Sequence, residues 1–332
     1  MRVPLALASA ATLLLLTGCS SSGDKPDAPT REPATAAVAP VPAAAPAGQV
    51  VPLGRAVSAL VADAGTGQLA ALDGATLLLV DPNTAAVRTV ALPGPGASLA
   101  AGKPGEILVA APQRVVRVDV AAAETTEIPV DGDVRSVLQG ADGTVLAGTA
   151  DGRVRTLAAD GAVVRTVPGL ISADVLARTP DHLAVLDRHQ SSITEIEPGA
   201  TDLGLAQRAG DGATMMIADH FGRVLVTDTA DNELLVYTTG PLLLRQRFPV
   251  GSSPYALAYD QRSETVWVTC TQSNEVVGFD LSTGIPVEVG RYPAVRQPNS
   301  VTVDERTGDL FVGSATGDGV QRIRADQRKR GQ

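Results

Sequence analysis

The chain has 332 residues, of which 44% are hydrophobic and 19% are charged, and its formal net charge at pH 7 is −9. A chain of this length can bury a sizeable core, and its acidity argues against nucleic acid or anionic lipid headgroups as partners. The 2 Cys residues, Cys19 and Cys270, offer no disulfide framework. We therefore expect a folded domain that does not bind nucleic acid.

The first 18 residues have the pattern of a secretory signal peptide. Arg2 is followed by an apolar stretch over residues 3–16, which is too short for a permanent membrane-spanning helix. The stretch ends in Leu16-Thr17-Gly18-Cys19, a bacterial lipobox in which small residues precede the Cys that receives the lipid. We predict cleavage before Cys19, palmitate-type lipidation of its thiol, and anchoring to the cell membrane on the extracytoplasmic side. An ordinary secretory signal with an incidental Cys is the alternative.

The next segment, residues 19–48, is dominated by Ala, Pro and Ser. It opens with Ser20-Ser21-Ser22-Gly23 and continues through Pro40, Pro42 and Pro46. Such a composition cannot bury a core and favours an extended chain without fixed contacts. We predict that residues 19–48 are a disordered tether between the lipidated Cys and the folded domain.

A repeated unit follows, and three late copies show it best. Asp219, Asp260 and Asp304 each end an apolar run and begin a turn that leads into a second apolar run, at intervals of about forty residues. Each unit reads as four short strands separated by Gly, Asp, Asn or Pro. A period of this length, filled with short strands, indicates an all-β propeller.

The number of units and the way the ring closes follow from the two ends of the chain. Seven units fit between residues 49 and 325, and the last has only three strands before the basic tail over residues 326–332. Residues 49–55 resemble the outer strand that precedes the sixth unit. We therefore predict a seven-bladed propeller of four-stranded antiparallel blades, in which residues 49–55 complete the last blade and remove an exposed edge.

The repeat register also predicts which residues share a face. Loops that lead into the inner strands and loops between the second and third strands meet at one end of the central channel. They carry the residues we predict for ligand binding: Arg55, Arg135, Asp174, Arg188, His189, Tyr255, Arg296 and Asn299. The four arginines favour an anionic ligand, and paired surface arginines are the alternative. His182 and His220 fall on the opposite face from His189, which argues against a His-based metal site.

Motifs for covalent catalysis are missing from the predicted propeller. Residues 49–325 contain neither a Gly-X-Ser-X-Gly elbow nor a Ser-X-X-Lys motif. Cys270 ends the strand-like run of residues 265–270, where a small buried hydrophobic residue is the better interpretation than a reactive thiol.

The repeats resemble the YVTN/NHL-type and gluconolactonase-like propellers. Together with the lipobox and the tether, residues 242–246 and 281–288 make the chain similar to a conserved family of mycobacterial and related actinobacterial lipoproteins. That resemblance implies a secreted propeller without an assigned activity.

One segment also resembles a metal-binding part of the gluconolactonase-like enzymes. Gln297-Pro298-Asn299-Ser300-Val301 is similar to the Pro-Asn-Gly segment that supplies an Asn ligand there, and Asp174 holds a comparable inner-strand position. The resemblance implies Asn299 and Asp174 as candidate ligands of Ca²⁺ or Mg²⁺. The chain departs from the pattern because Ser300 replaces the Gly, and because Ser58 and Ala59 lie where those enzymes place a Glu.

We predict a lipid-anchored extracytoplasmic propeller that acts as a non-catalytic binding or scaffold module in the cell envelope. We expect a monomer without a cofactor, whose partner is an envelope protein, a peptide or a glycan. The alternative is a divergent metal-dependent lactonase or hydrolase with its site at the central channel. The sequence favours the binding module over the enzyme and leaves the choice open.

Overall fold

The computed structural model describes residues 30–140 and 142–328, so the predicted signal peptide and Cys19 lie outside the described residues. Within these ranges the chain forms 26 β-strands and one 3₁₀ turn, which assemble into six antiparallel sheets around a central channel. None of the helical segments in these ranges is long and apolar enough to cross a membrane. The predicted all-β propeller class is confirmed.

The strands of each sheet follow one another along the chain, except the first strand, which joins the last sheet. That strand is β1 (Gln49–Val51). The first sheet is β2 (Ala59–Ala62), β3 (Leu69–Asp73), β4 (Thr76–Val80) and β5 (Val87–Ala91). The second is six-stranded, with β6 (Ser98–Ala101), β7 (Glu106–Asp119), β8 (Glu124–Gln139), β9 (Val145–Thr149), β10 (Val154–Leu157) and β11 (Val163–Val167).

Four more sheets complete the ring. The third is β12 (Val175–Arg178), β13 (Leu183–Asp187), β14 (Ser192–Ile196) and β15 (Ala206–Arg208). The fourth is β16 (Ala213–Ala218), β17 (Arg223–Asp228), β18 (Glu233–Thr238) and β19 (Leu243–Pro249). The fifth is β20 (Pro254–Asp260), β21 (Thr265–Cys270), β22 (Glu275–Asp280) and β23 (Val287–Pro293). The last is β24 (Pro298–Val303), β25 (Leu310–Ser314) and β26 (Val320–Ile323) with β1, followed by the 3₁₀ turn Ala325–Gln327.

The predicted count of seven blades is wrong, because the structure has six. Residues 97–170 are long enough for two of the seven predicted units of about forty residues, but they form the single six-stranded sheet. Its strands β7 and β8 are 14 and 16 residues long and run through the positions where turns were expected. The connecting residues Gln113 and Gly132 take positive φ values of 61° and 101° without ending the strands, and the register shifts between Pro112 and Arg114 and between Val134 and Ser136. This sheet lines the channel with two strands, β6 and the end of β8.

The predicted closing strand is present. Gln49, Val50 and Val51 pair with Arg322, Gln321 and Val320 of β26, so β1 is the outer strand of a sheet whose other strands come from the end of the chain. The strand is shorter than the predicted segment of residues 49–55. The pairing covers the edge of β26 that would otherwise be exposed.

The core consists of apolar layers between neighbouring sheets. Because each sheet is covered on both faces, its middle strands are continuous apolar runs rather than alternating ones. In β4, for example, Leu77, Leu78, Leu79 and Val80 are all at most 3% exposed. Outer strands such as β19 are largely exposed and carry alternating burial.

The Asp residues that reveal the repeat have a structural role. Asp219 accepts hydrogen bonds from the backbone N–H groups of Phe221 (3.0 Å) and Arg223 (2.9 Å). Asp260 and Asp304 cap the equivalent turns, accepting from the N–H two residues further on at 3.1 and 2.9 Å. Each Asp is buried and forms an Asx turn where an inner strand ends. The repeat period therefore reflects the chemistry of these turns and not a repeated active site.

The start of the predicted basic tail packs against the fold. Arg328 forms an ion pair with Asp260 (3.1 Å), and its guanidinium lies 5.0 Å from the ring centroid of Trp267. Its side chain is only 7% exposed. Residues up to Arg328 therefore belong to the structured domain, whereas 329–332 lie outside the described residues.

The role of the closing strand can be tested at Gly48, which precedes it. Gly48 has φ +74°, and a Cβ there would lie 2.1 Å from the carbonyl oxygen of Arg322. We expect Gly48→Ala to lower the free energy of unfolding by about 2–4 kcal/mol, since it combines a left-handed backbone with a clash against β26. Denaturant unfolding of the purified chain measures this.

Gly54→Ala is the matched control, because Gly54 has φ +63° and nothing lies within 4 Å of its Cβ position. We expect this substitution to lower the free energy of unfolding by only about 1–2 kcal/mol, which is the cost of a left-handed backbone conformation for a residue other than Gly. Equal effects of the two substitutions would contradict the role assigned to β1.

Cys270 makes a second prediction, because it is fully buried in β21. Burial raises the pKa of its thiol to about 12 from the usual value of 9.0. The folded protein therefore keeps the proton above pH 9, where the unfolded chain releases it. On this account the free energy of unfolding is unaffected below about pH 9 and declines as pH rises towards 12.

The burial of Cys270 can also be tested by chemical labelling. In a Cys19→Ser chain, we expect a thiol reagent at pH 8 to label Cys270 only after denaturation. Rapid labelling of the native chain would contradict its burial.

Candidate functional site

The candidate site is the mouth of the central channel, at the end where the inner strands begin. A cavity of about 320 Å³ opens there between residues of β2, β6, β12, β16, β20 and β24. It continues into a deeper cavity of about 530 Å³ that shares part of its wall, including Leu60, Leu99, Met215 and Val301. The channel therefore has a polar opening and a mainly apolar interior, as ligand-binding cavities commonly do.

Most of the residues predicted for ligand binding converge on this opening. Five of the eight line the cavity: Arg135, Asp174, Arg188, Tyr255 and Asn299. His189 and Arg296 lie at its rim. Arg55 is separate, since it is exposed and paired with Asp73 at 2.6 Å.

An N-terminal segment lies along the rim of the mouth and lines neither cavity, and we call residues 31–40 the strap. This differs from the predicted disordered tether. The strap begins where the N–H of Arg31 donates to the carbonyl oxygen of His189 (2.8 Å), and it ends where Asn274 Nδ2 donates to the carbonyl oxygen of Pro40 (3.0 Å). Farther along, Ala47 accepts from Gln321 Nε2 at 2.7 Å, so the chain stays attached until it enters β1.

Gln297 binds the strap through its main chain. Its Oε1 accepts from the N–H of Ala39 (2.8 Å), and its Nε2 donates to the carbonyl oxygen of Ala37 (2.9 Å). The N–H of Ala37 in turn donates to Ser253 Oγ at 3.2 Å. The amide side chain of Gln297 thus binds one main-chain N–H and one carbonyl oxygen that lie two residues apart, as a neighbouring β-strand would.

Two arginines of the mouth also hold the strap. Arg188 Nη2 donates to the carbonyl oxygen of Ala34 (2.6 Å), and Arg296 Nη2 donates to that of Ala39 (3.2 Å). Arg135 pairs instead with Asp133 at 2.8 Å. With Arg55 paired to Asp73, all four arginines have partners within the protein, which weakens the inference of an anionic ligand from their charge.

Small side chains allow the strap to lie close to the sheets. Ala39 is 2% exposed, whereas its neighbour Val38 is 86% exposed. At Gly212, a Cβ would lie 2.8 Å from the Cβ of Ala34, so a larger residue would press against the strap. The contact therefore selects small residues at positions 34 and 39 and leaves the side chain of Val38 in solvent.

The turn that carries Arg188 and His189 is held by a buried carboxylate. Asp187 accepts from the N–H groups of His189 (3.0 Å) and Gln190 (3.1 Å) and, from the preceding loop, Ile171 (3.0 Å). Burial raises the pKa of Asp187, against the opposing effect of its backbone hydrogen bonds. These hydrogen bonds fix the turn and thereby the position of Arg188 at the mouth.

The backbone at the strap contacts is unusual. Ser253 and Gln297 have φ +57° and +52°, in the left-handed region that residues other than Gly rarely adopt. Asn274 shares this conformation with φ +52°. Each such residue costs about 1–3 kcal/mol, which the surrounding structure must offset.

The candidate metal ligands are already engaged by the protein. Asp174 accepts from Ser172 Oγ (2.8 Å) and from the N–H of Arg188 (2.8 Å), and Asn299 Oδ1 accepts from Gln297 Nε2 (3.0 Å). With these bonds both residues fix local turns, which is a common role of Asp and Asn side chains.

The described residues also include three carboxylates that lie close enough together to hold one metal ion, those of Asp228, Asp231 and Glu233. Asp228 accepts from the N–H of Gly212 (2.9 Å), and Arg247 pairs with both Glu233 (2.6 Å) and Asp231 (3.5 Å). Protein donors therefore already engage all three carboxylates.

The His residues are distributed as the register predicts. His182 and His220 lie in the turns between β12 and β13 and between β16 and β17, on the face opposite the mouth, where His220 Nδ1 bonds Tyr259 at 2.9 Å. His189 lies in the turn between β13 and β14, at the mouth.

Sequence reasoning missed the strap and the residues that hold it through amide and hydroxyl groups, Ser253, Asn274 and Gln297. The strap contacts are made by main-chain atoms, which composition does not reveal. The available signal was positional, since Asn274 occupies a recurring turn and Gln297 lies beside Asn299.

Comparison with known proteins supports the fold. No family model matches the chain, and no curated protein matches its sequence. A chain of hydrazine synthase from Kuenenia stuttgartiensis aligns with TM-score 0.70 and 13% identity, over 82% of this chain and 96% of that one. Virginiamycin B lyase from Staphylococcus aureus aligns with TM-score 0.67 and 14% identity, over 83% and 97%. A chain of the mitotic checkpoint complex aligns with TM-score 0.70 and 13% identity, over 88% and 98%.

At these identities the likeness shows the fold alone. It confirms the propeller part of the predicted resemblance. The lipoprotein and actinobacterial parts stay predictions. The matching structures include both an enzyme and a chain from a protein assembly, so the fold does not choose between catalysis and scaffolding.

Proposed function

We propose that the protein is a lipid-anchored extracytoplasmic propeller that acts as a non-catalytic binding module in the cell envelope. The observation that carries this proposal is the use of the mouth residues. Gln297, Arg188 and Arg296 direct their polar groups at the main chain of a segment lying along the rim of the mouth. Side chains committed in this way suit the recognition of a polymer better than chemistry on a small substrate.

The lipobox supplies the location. Leu16-Thr17-Gly18-Cys19 follows an apolar stretch of signal-peptide length. Lipidation there would leave residues 20–30 between the membrane and the strap. A short link of this kind would hold the mouth close to the membrane surface rather than far from it.

The second candidate is a metal-dependent lactonase or hydrolase at the same channel. It is favoured by one observation, namely that Asp174 and Asn299 line a single cavity that leads into the channel. Carboxylate and amide oxygens suit Ca²⁺ or Mg²⁺. Under this candidate the two residues would hold the ion, which would polarise a substrate carbonyl.

The anchoring proposal predicts different behaviour for the two cysteines. We expect Cys19→Ser to move the protein out of the washed membrane fraction and to abolish incorporation of labelled palmitate, because the thiol is the attachment point. Cell fractionation with immunoblotting measures this. Cys270→Ser is the matched control and should stay in the membrane fraction, since Cys270 is fully buried. Membrane retention of Cys19→Ser would contradict lipid anchoring.

The choice between binding and catalysis has its own experiment. On the binding proposal, the purified chain shows no metal-dependent hydrolysis of a lactone panel, and Asn299→Ala leaves its metal content unchanged. Asn83→Ala, an Asn outside the mouth, is the matched control. Metal-dependent hydrolysis that falls at least about tenfold in Asn299→Ala, but not in the control, would replace the binding proposal with the hydrolase. Such a loss corresponds to about 1.4 kcal/mol of transition-state stabilisation.

A further inference from the structure

The contacts of the strap define a peptide-binding groove and the kind of peptide it fits. Two main-chain groups of Ala39, its N–H and its carbonyl oxygen, are bound by Gln297 and Arg296 respectively. Ala37 is likewise bound at both groups, by Ser253 and Gln297. Recognition therefore runs through the backbone at alternate residues, which is how proteins bind extended peptides.

The groove selects the side chains of a bound peptide by their size. Ala39 is 2% exposed, and the strap passes Gly212 with Ala34 against it. Val38 is 86% exposed and Val41 is 77% exposed, so these positions impose no restriction. A fitting peptide has a small residue at the positions of Ala34 and Ala39 and any residue at the position of Val38. Prolines are tolerated where the N–H is not bound, as at Pro40.

Building on the binding role proposed above, we infer that the rim of the channel mouth is a site for extended Ala/Pro-rich peptides, occupied in the isolated chain by its own strap. A peptide of this class from another protein binds by displacing the strap. Because the strap is covalently joined to the domain, it competes at an effective concentration on the order of millimolar. The unaltered chain therefore binds such peptides weakly until the strap is released.

Release of the strap can be designed from its one buried side chain. Ala39→Phe adds a ring at a position with no free space, whereas Val38→Phe adds the same ring to an exposed neighbour. Both changes are made in the mature chain from residue 19 carrying Cys19→Ser. Hydrogen exchange over residues 34–40 reports the strap, and it should be faster in Ala39→Phe only. Unchanged exchange in Ala39→Phe would overturn the docking of the strap.

The binding probe is a fluorescein-labelled synthetic peptide with the sequence of residues 31–42, followed by fluorescence polarisation. We expect it to bind Ala39→Phe at least about tenfold more tightly than it binds the unaltered chain or Val38→Phe. Adding Gln297→Ala to Ala39→Phe should weaken binding at least about tenfold, since two hydrogen bonds are lost. Gln272→Ala, at the adjacent turn, is the matched control. Failure of the peptide to bind the released chain would overturn the inference.

The peptide itself gives a second control on the mode of recognition. N-methylation of its residue 39 removes the N–H bound by Gln297 and should abolish binding, whereas N-methylation of residue 38 should not. Binding that is insensitive to both Gln297→Ala and N-methylation would place the peptide elsewhere and overturn the groove. These results are separate from the proposed function, whose failure would appear as lactone hydrolysis or as loss of membrane anchoring in cells.

Discussion

The three-residue pairing of β1 with β26 is the constraint on which the arrangement of this protein depends. A propeller is a ring of sheets whose last strand has an unpaired edge unless something covers it. Here the cover comes from the beginning of the chain. The pairing therefore does two things, because it closes the ring and it fixes where the preceding residues emerge. Residues 41–48 must approach β1 from beside the last sheet, where Ala47 bonds Pro293 and Gln321, and this places the strap along the rim of the channel mouth.

Docking of the strap is a balance of small terms. Ordering one residue costs about 1–2 kcal/mol of backbone entropy. A hydrogen bond to the protein contributes only about 0.5–1.5 kcal/mol. Few strap side chains are buried, Ala39 being the clearest case, so the hydrophobic contribution is small. Pro33 and Pro40 lower the entropic cost by restricting the free chain. The strap is thus held firmly enough to occupy the mouth and weakly enough to leave it, unlike the strands of the core.

Much of the fold could be predicted from the sequence, because turn chemistry at Asp219, Asp260 and Asp304 repeats visibly and strands between covered sheets are continuous apolar runs. The blade count could not. Pro112 and the run Asp131-Gly132-Asp133 are compatible with either a turn or a bulge, and only the pairing distinguishes them. At the site, register grouped Arg188, Asp174 and Asn299 correctly. It could not reveal a segment that binds through its own peptide groups, since Ala and Pro carry no side-chain signal.

The same limitation explains why charge was a poor guide to the ligand. Four arginines near a channel suggest an anion, yet Arg188 and Arg296 are directed at carbonyl oxygens of the strap. A carbonyl oxygen carries partial negative charge and satisfies a guanidinium without any anion being present. Once the strap leaves, those donors must find another acceptor, and buried Arg188 Nε already lacks one. An incoming peptide restores the lost acceptors one for one, whereas a small anion would satisfy only the arginines and leave Gln297 and Ser253 without main-chain partners.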